Sequence, residues 1–217
     1  MSAYDYIQTG IVLISFTASL TTYFRPVAVL PLRMFVYFLL GTLIVEFIGY
    51  YLVSKNQSNT DLYNFWGIVE FSFYFWFLRM TIQHSIAKKI IFQIMLFYPL
   101  LSLINIFFIQ GVGNFATITY STGCLIIVVI TVFYFFEQFQ FSRGVTLYRE
   151  PVFWICFGLL LYYCCSFPIF GLANFLTKAH WFKSRILGIL LDLVNILLYS
   201  LFTIAFLCRL KMRKSIS

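Results

Sequence analysis

Long runs of apolar residues dominate this chain, and they decide which solvent it can fold in. Seven segments of about 20 mostly apolar residues follow one another, and a helix needs about that length to cross a bilayer. The segments are uniformly apolar, without the alternation typical of barrel strands, so the sequence predicts helices. They lie at about Tyr6–Tyr23, Arg33–Val53, Asn64–Ile82, Ile90–Gln110, Thr117–Phe139, Pro151–Phe175 and Ile186–Cys208.

The composition supports a membrane environment. Of the 217 residues, 62% are hydrophobic and 10% are charged, whereas soluble domains carry about 25% charged residues. A chain with so little polar surface would aggregate in water, so we expect membrane lipids to surround it. The connections between segments are short, and none could form a separate domain. The sequence therefore predicts one all-α domain over residues 1–217, a polytopic bundle of seven transmembrane helices.

Basic residues are distributed unequally between the two sides of this predicted bundle. Of the 15 Lys and Arg, only Lys55, Lys178, Lys183 and Arg185 lie on the side that follows even-numbered segments. Because basic loops stay in the cytoplasm, the N-terminus is predicted outside and the C-terminus cytoplasmic, in a plasma (inner) membrane. The chain has a net charge of +8. Because its basic residues lie at the ends of apolar segments, they predict membrane orientation and not nucleic-acid binding. The remaining basic residues are Arg25, Arg33, Arg79, Lys88, Lys89, Arg143, Arg149, Arg209, Lys211, Arg213 and Lys214.

Three acidic residues, Glu46, Glu70 and Asp192, fall inside the apolar segments. An ionised acid near mid-membrane costs about 2.5–3.5 kcal/mol on insertion scales, so its presence needs an explanation. At about 1.5 Å per helical residue, each of the three lies roughly 10 Å below the outer boundary. We therefore expect the three carboxyls to converge in a pocket that opens to the outside.

Other polar residues lie near the same level and complete a candidate ligand-binding set. Each of them could instead serve only to bond neighbouring helices. No Lys or Arg shares the level, although the long side chain of Arg185 could reach inward. The acids are thus expected to be protonated or to receive a cation from outside, and both readings stay open. The candidate set is Glu46, Glu70, Asp192, Asn195, Asn105, Tyr74 and Tyr199.

Motifs for catalysis, metal binding and cofactor binding are missing from the sequence. It contains no GxSxG, no HExxH and no Gly-rich phosphate loop, so we predict no catalytic residue. His84 and His180 fall in loops on opposite predicted sides, and the five cysteines lie within apolar runs, so no metal site or cofactor is predicted. The last segment also lacks the Lys that a retinal Schiff base would need.

Two further acids, Glu137 and Glu150, lie at the predicted cytoplasmic boundary. Because Arg143 and Arg149 are close to them in the sequence, we expect interfacial ion pairs there.

Two stretches of sequence carry a resemblance to a known group. They are LYNFWGIVEF (Leu62–Phe71) and REPVFWICFGLLLYY (Arg149–Tyr163), with Glu46 upstream. The chain resembles a group of small seven-helix inner-membrane proteins from bacteria, whose bundles are similar to the membrane input regions of some sensor histidine kinases. The resemblance implies a sensory or accessory role, with a signalling kinase or another membrane protein as partner.

The sequence thus leads to a first functional hypothesis with three alternatives. The first is a receptor-like or accessory membrane module for signalling, which binds a small ligand or a proton in the outward-facing acidic pocket. Pro99 and Pro168 predict helix kinks that could transmit a change in packing. A proton-coupled transporter of small solutes, an acid-dependent lipid-modifying enzyme and a structural subunit of a larger membrane complex remain the alternatives.

Overall fold

The computed structural model of the protein describes residues 3–23, 30–141, 147–172 and 184–211. Those ranges contain seven α-helices and no strand. The predicted all-α fold with seven long helices is therefore confirmed. The helices are α1 (Ala3–Leu20), α2 (Leu30–Ser54), α3 (Thr60–Thr81), α4 (Ser85–Ile104), α5 (Thr117–Phe141), α6 (Pro151–Gly171) and α7 (Ser184–Lys211).

Most of these helices have the length and apolarity of membrane spans. Within the described ranges, five helices are long and apolar enough to cross a membrane, namely α2, α4, α5, α6 and α7. The apolar part of α1 is shorter and covers Ile7–Leu20. Helix α3 carries Asp61, Glu70 and Arg79 and is not among the five. The chain is thus typical of a multi-pass membrane protein, while its orientation stays a prediction.

Helix α4 is the element whose ends differ most from the sequence prediction. It begins at Ser85 and not near Ile90, because the helix extends beyond its apolar part through the basic residues of its first turn. The ring nitrogen Nδ1 of His84 accepts a hydrogen bond from the backbone N–H of Ala87 over 3.4 Å at this end. At its other end α4 continues into a π-helical turn, Asn105–Ile109.

The helices form a closed ring. Helix α1 packs against α2 and α7, α7 against α6, α6 against α5, α5 against α3, and α3 against α2. Helix α4 packs mainly on α3 and lies outside this ring. Helix α3 therefore has neighbours on several sides, which places Glu70, near its middle, among other helices.

Aromatic side chains fill the interior of the ring. The Phe35 ring lies 5.0 Å from the ring of Phe77 and 5.3 Å from that of Phe202, both edge-on, which joins α2, α3 and α7. Edge-to-face pairs of this kind are favourable because the positive edge of one ring meets the negative face of another. Tyr74 of α3 and Tyr163 of α6 meet in the same way, with ring centroids 5.9 Å apart. All five side chains are fully buried, which gives the bundle a densely packed centre.

Backbone groups of the α4–α5 connection are held by two side chains of α3. The Asp61 carboxylate accepts a hydrogen bond from Gly113 N–H over 2.8 Å. The Asn64 amide donates to the Asn114 carbonyl over 2.8 Å and accepts from Ala116 N–H over 2.9 Å. Gly113 has a φ of +86°, a value that favours glycine. The first turns of α3 thus fix the position of this connection.

At the opposite end of the bundle, Glu137 of α5 fixes the connection between α3 and α4. Its carboxylate accepts hydrogen bonds from Gln83 N–H over 2.8 Å and from His84 N–H over 2.7 Å, and the side chain is buried. A carboxylate at a helix N-terminus is favourable because it satisfies amides that lack partners within the helix. The expected ion pair of Glu137 with Arg143 lies outside the described residues. Within the described residues, the Glu137 carboxylate oxygens accept hydrogen bonds from the backbone amides of Gln83 and His84.

Candidate functional site

Glu70 lies near the middle of α3 and is hydrogen-bonded across the bundle. The hydroxyl of Tyr163, on α6, donates a hydrogen bond to Glu70 Oε1 over 3.0 Å. Tyr163 is fully buried, because its ring packs against Phe71 and Tyr74 of α3. The bond therefore joins α3 and α6 in the protein interior and fixes the orientation of the carboxyl.

Several tyrosines lie within electrostatic range of this carboxyl. They come from four helices, and each of them interacts electrostatically with Glu70. Because the ring of helices is closed, residues far apart in the sequence meet here. We call this group the tyrosine cluster, and it consists of Tyr74, Tyr120, Tyr162, Tyr163 and Tyr199.

A second carboxyl, that of Glu46 on α2, lies beside this cluster. Glu46 interacts electrostatically with both Glu70 and Tyr199. The Tyr63 hydroxyl donates a hydrogen bond to Glu46 Oε2 over 3.3 Å. Gly49 makes this arrangement possible, because a Cβ atom at that position would lie 2.7 Å from the Tyr63 hydroxyl. Two of the three predicted acids thus lie within range of each other's charge.

Among the described residues, the electrostatic partners of Glu70 are an acid and neutral groups. Within the described part of the chain, its neighbours are a carboxyl and hydroxyls, and no Lys or Arg pairs with it. Arg79 is on the same helix, but its guanidinium lies 4.8 Å from the ring of Phe92, near the other end of α3. An ionised carboxyl in a low-dielectric interior is costly without a cation or a proton. The arrangement is therefore chemically suited to taking up positive charge.

Asn105 belongs to a different network. Its side-chain amide donates hydrogen bonds to Gln110 Oε1 over 2.8 Å and to Thr119 Oγ1 over 3.1 Å. The Gln110 amide in turn donates to Thr117 Oγ1 over 2.9 Å. This network connects the end of α4 with the start of α5, and it gives Asn105 a role in holding these two helices together.

Asp192 and Asn195 lie on α7, seven and four residues before Tyr199, and both are half-buried. Tyr74 and Tyr199 are members of the tyrosine cluster and interact with each other. Of the seven predicted site residues, the structure therefore groups Glu46, Glu70, Tyr74 and Tyr199. The convergence of all three acids, and binding by any of these residues, stay predictions.

Several residues of this site do not belong to the predicted set. Tyr163 and Tyr63 donate to the two carboxyls, and Tyr120 and Tyr162 complete the tyrosine cluster. The sequence does contain a signal for two of these residues, because Tyr162 and Tyr163 are adjacent polar residues in an otherwise apolar segment. The sequence alone gives no means of choosing them among 15 tyrosines.

The described residues contain no group of three or more His, Cys, Asp and Glu side chains that could hold a metal ion. No disulfide joins cysteines within the described ranges, and Cys124 and Cys156 are buried among apolar neighbours.

Comparison of the chain with protein-family models, with curated proteins and with solved structures gives no match. The resemblance to bacterial seven-helix membrane proteins therefore stays a prediction, and function is argued from the site.

Proposed function

We propose that this chain is a receptor-like or accessory membrane module that responds to protons, with Glu70 as the group that takes up the proton. The observation that supports this most directly is the position of the Glu70 carboxyl. It lies against the tyrosine cluster, of which Tyr74, Tyr163 and Tyr199 are buried, and it has no Lys or Arg partner among the described residues. A proton needs no cavity, so it is a ligand that a densely packed site can accept.

Protonation of Glu70 would change the strength of a contact between two helices. The Tyr163 hydroxyl donates to an ionised carboxylate in one state and to a neutral acid in the other. A hydrogen bond to an ionised group is roughly twice as strong as a neutral one, so uptake of the proton weakens the link between α3 and α6. This change in helix packing is the proposed signal, which a membrane partner such as a signalling kinase would read.

The proposed site faces the outside of a plasma (inner) membrane. This part of the proposal depends on the distribution of basic residues. The described α2–α3 connection carries Lys55, whereas Lys88 and Lys89 lie near the start of α4, at the α3–α4 end of the bundle. The excess of positive charge favours the α3–α4 end as the cytoplasmic one.

Infrared difference spectroscopy of the protein in lipid nanodiscs tests the proposal. On acidification, we expect the carbonyl band of a protonated carboxylic acid to appear in the wild type and in Glu150→Gln, the matched control at an exposed carboxyl. The band should be missing in Glu70→Gln. A band of unchanged size and position in Glu70→Gln would overturn the assignment of Glu70.

A second measurement separates proton binding from a receptor-like response. Backbone hydrogen exchange in α6 should become faster on acidification in the wild type and should stay constant in Glu70→Gln. If Glu70 takes up a proton while exchange in α6 is the same at both pH values, the receptor-like function is wrong.

A further inference from the structure

Three cationic side chains lie at the α3–α4 end of the bundle, and we call them the basic patch: Arg79, Lys88 and Lys89. Arg79 is two residues before the end of α3, and the two lysines follow the start of α4 by three and four residues. At about 1.5 Å per helical residue, each of them lies within roughly 6 Å of a helix end. Helix α4 is long and apolar enough to cross a membrane from Ser85 onwards, so we expect the basic patch at the level of the lipid headgroups.

The ring of Phe92 connects the two parts of the basic patch. The Arg79 guanidinium lies 4.8 Å from the centre of this ring, within the range of a cation–π contact. Lys88 precedes Phe92 by four residues on α4, so these two side chains share one face of the helix. Arg79 therefore lies against the face of α4 that carries Lys88, and positive charge from both helices collects there.

The described residues leave this positive charge unpaired. Neither the guanidinium of Arg79 nor the ammonium groups of the two lysines form an ion pair or a hydrogen bond with a described residue. Glu137 holds the α3–α4 connection nearby, but it is buried, and its carboxylate accepts hydrogen bonds from the amides of Gln83 and His84. A cation–π contact occupies the flat face of a guanidinium and not its N–H groups, so donors for an anion remain.

Exposed apolar side chains adjoin the basic patch and indicate which kind of anion it fits. Ile86 and Ile90 are one turn apart on α4, on either side of the two lysines, and both are exposed. The Phe92 ring that contacts Arg79 is exposed as well. A free phosphate ion would match the cations and leave this apolar surface uncovered. A phospholipid matches both, because it carries an anionic group and hydrocarbon chains in one molecule.

We propose that the basic patch binds the headgroup of an anionic phospholipid, with the acyl chains along Ile86, Ile90 and Phe92. The phosphate oxygens accept charge-assisted hydrogen bonds from the Arg79 guanidinium and from the lysine ammonium groups. The lipid comes from the leaflet at the α3–α4 end, which is the predicted cytoplasmic one and is the leaflet that carries anionic lipids. Binding of this lipid goes beyond the proposed proton response and does not depend on it.

Photo-crosslinking of the full chain in nanodiscs tests this proposal. Phosphatidylglycerol and phosphatidylcholine, each with a diazirine in one acyl chain, serve as anionic and zwitterionic probes, and mass spectrometry measures the label on residues 86–92. We expect the anionic probe to label this segment more strongly in the wild type. The ratio of the two labels should fall about fivefold in Arg79→Gln and in Lys89→Gln, which corresponds to about 1 kcal/mol for each cation.

Lys55→Gln is the matched control, because it removes one exposed positive charge at the other end of α3, and it should keep the wild-type ratio. Lys89 is exposed, so Lys89→Gln tests the basic patch without disturbing the packing of α3 on α4. Equal labelling by both probes in the wild type, or a wild-type ratio in Arg79→Gln and Lys89→Gln, would overturn the proposal. Loss of the preference when inorganic phosphate replaces chloride at equal ionic strength would show a free phosphate site and would overturn it too. None of these results changes the proton site, which is tested by the acid band of Glu70.

Discussion

The Tyr163 hydroxyl donates a hydrogen bond to Glu70 Oε1 over 3.0 Å, although 93 positions separate the two residues in the chain. The bond links a carboxyl of α3 to a side chain of α6. It is the contact through which a change of charge at Glu70 would alter helix packing.

Tyr163→Phe tests how much this bond contributes. The ring stays in place and only the donor is lost, so we expect the free energy of unfolding in mixed micelles to fall by about 1 kcal/mol. Tyr148→Phe is the control, because Tyr148 is 57% exposed. Equal stability of the two variants would show that the bond contributes nothing measurable.

Gly49→Ala tests the contact that positions Glu46. The new methyl group would lie 2.7 Å from the Tyr63 hydroxyl, so Tyr63 must move and its bond to Glu46 must lengthen. We expect a loss of about 1–3 kcal/mol in the free energy of unfolding, which is typical of overpacking. The loss should be smaller when Tyr63→Phe is also present, because the clashing oxygen is then missing. Additive effects would contradict this explanation.

Glu137→Ala tests how the α3–α4 connection is held. Removal of the carboxylate leaves the amides of Gln83 and His84 without their acceptor, at about 1–3 kcal/mol for each amide that stays buried. We expect lower stability and faster hydrogen exchange at these two amides. Glu150→Ala is the control, since Glu150 is exposed and its side chain makes no capping bond. Unchanged exchange at Gln83 and His84 would rule out this role.

Asn64→Ala tests the anchoring of the α4–α5 connection. The variant removes the donor to the Asn114 carbonyl and the acceptor of the Ala116 amide. Because Ala116 is buried, we expect a loss of about 1–3 kcal/mol in the free energy of unfolding and faster exchange at its amide. Asn59→Ala is the matched control, because the Asn59 side chain makes no capping bond at the start of α3. A loss of similar size in both variants would argue against a specific anchor.

The predicted orientation can be tested with a matched pair of exposed glutamines, Gln57 in the α2–α3 connection and Gln83 in the α3–α4 connection. In intact cells, a membrane-impermeant thiol reagent should label Gln57→Cys. It should label Gln83→Cys only after permeabilisation, because the positive charge keeps that end inside. The unsubstituted protein gives the background from its own cysteines. The reverse labelling pattern would show that the orientation is inverted.

Residues at the ends of the helices show where prediction from the sequence works and where it stops. The start of α5 at Thr117 and of α6 at Pro151 follow directly from the sequence, because apolar runs and a proline in the first turn are local signals. The role of Glu137 does not follow, because its acceptor oxygens bond amides 53 and 54 positions away. Proximity in the sequence predicts an ion pair with Arg143, which lies outside the described residues, whereas the bonds to these amides could be found only in the fold.

The sequence by itself determined that this chain forms long apolar helices, how many there are and about where each begins and ends. It could do so because a backbone in lipid has to satisfy its hydrogen bonds within each segment, which is a local requirement. Only the tertiary structure decided that Tyr163 bonds Glu70, and that Asn105 bonds Gln110 and Thr119. Depth along a helix can be counted from the sequence. The rotation of each helix and the order of helices around the ring depend on packing between residues that are far apart in the chain.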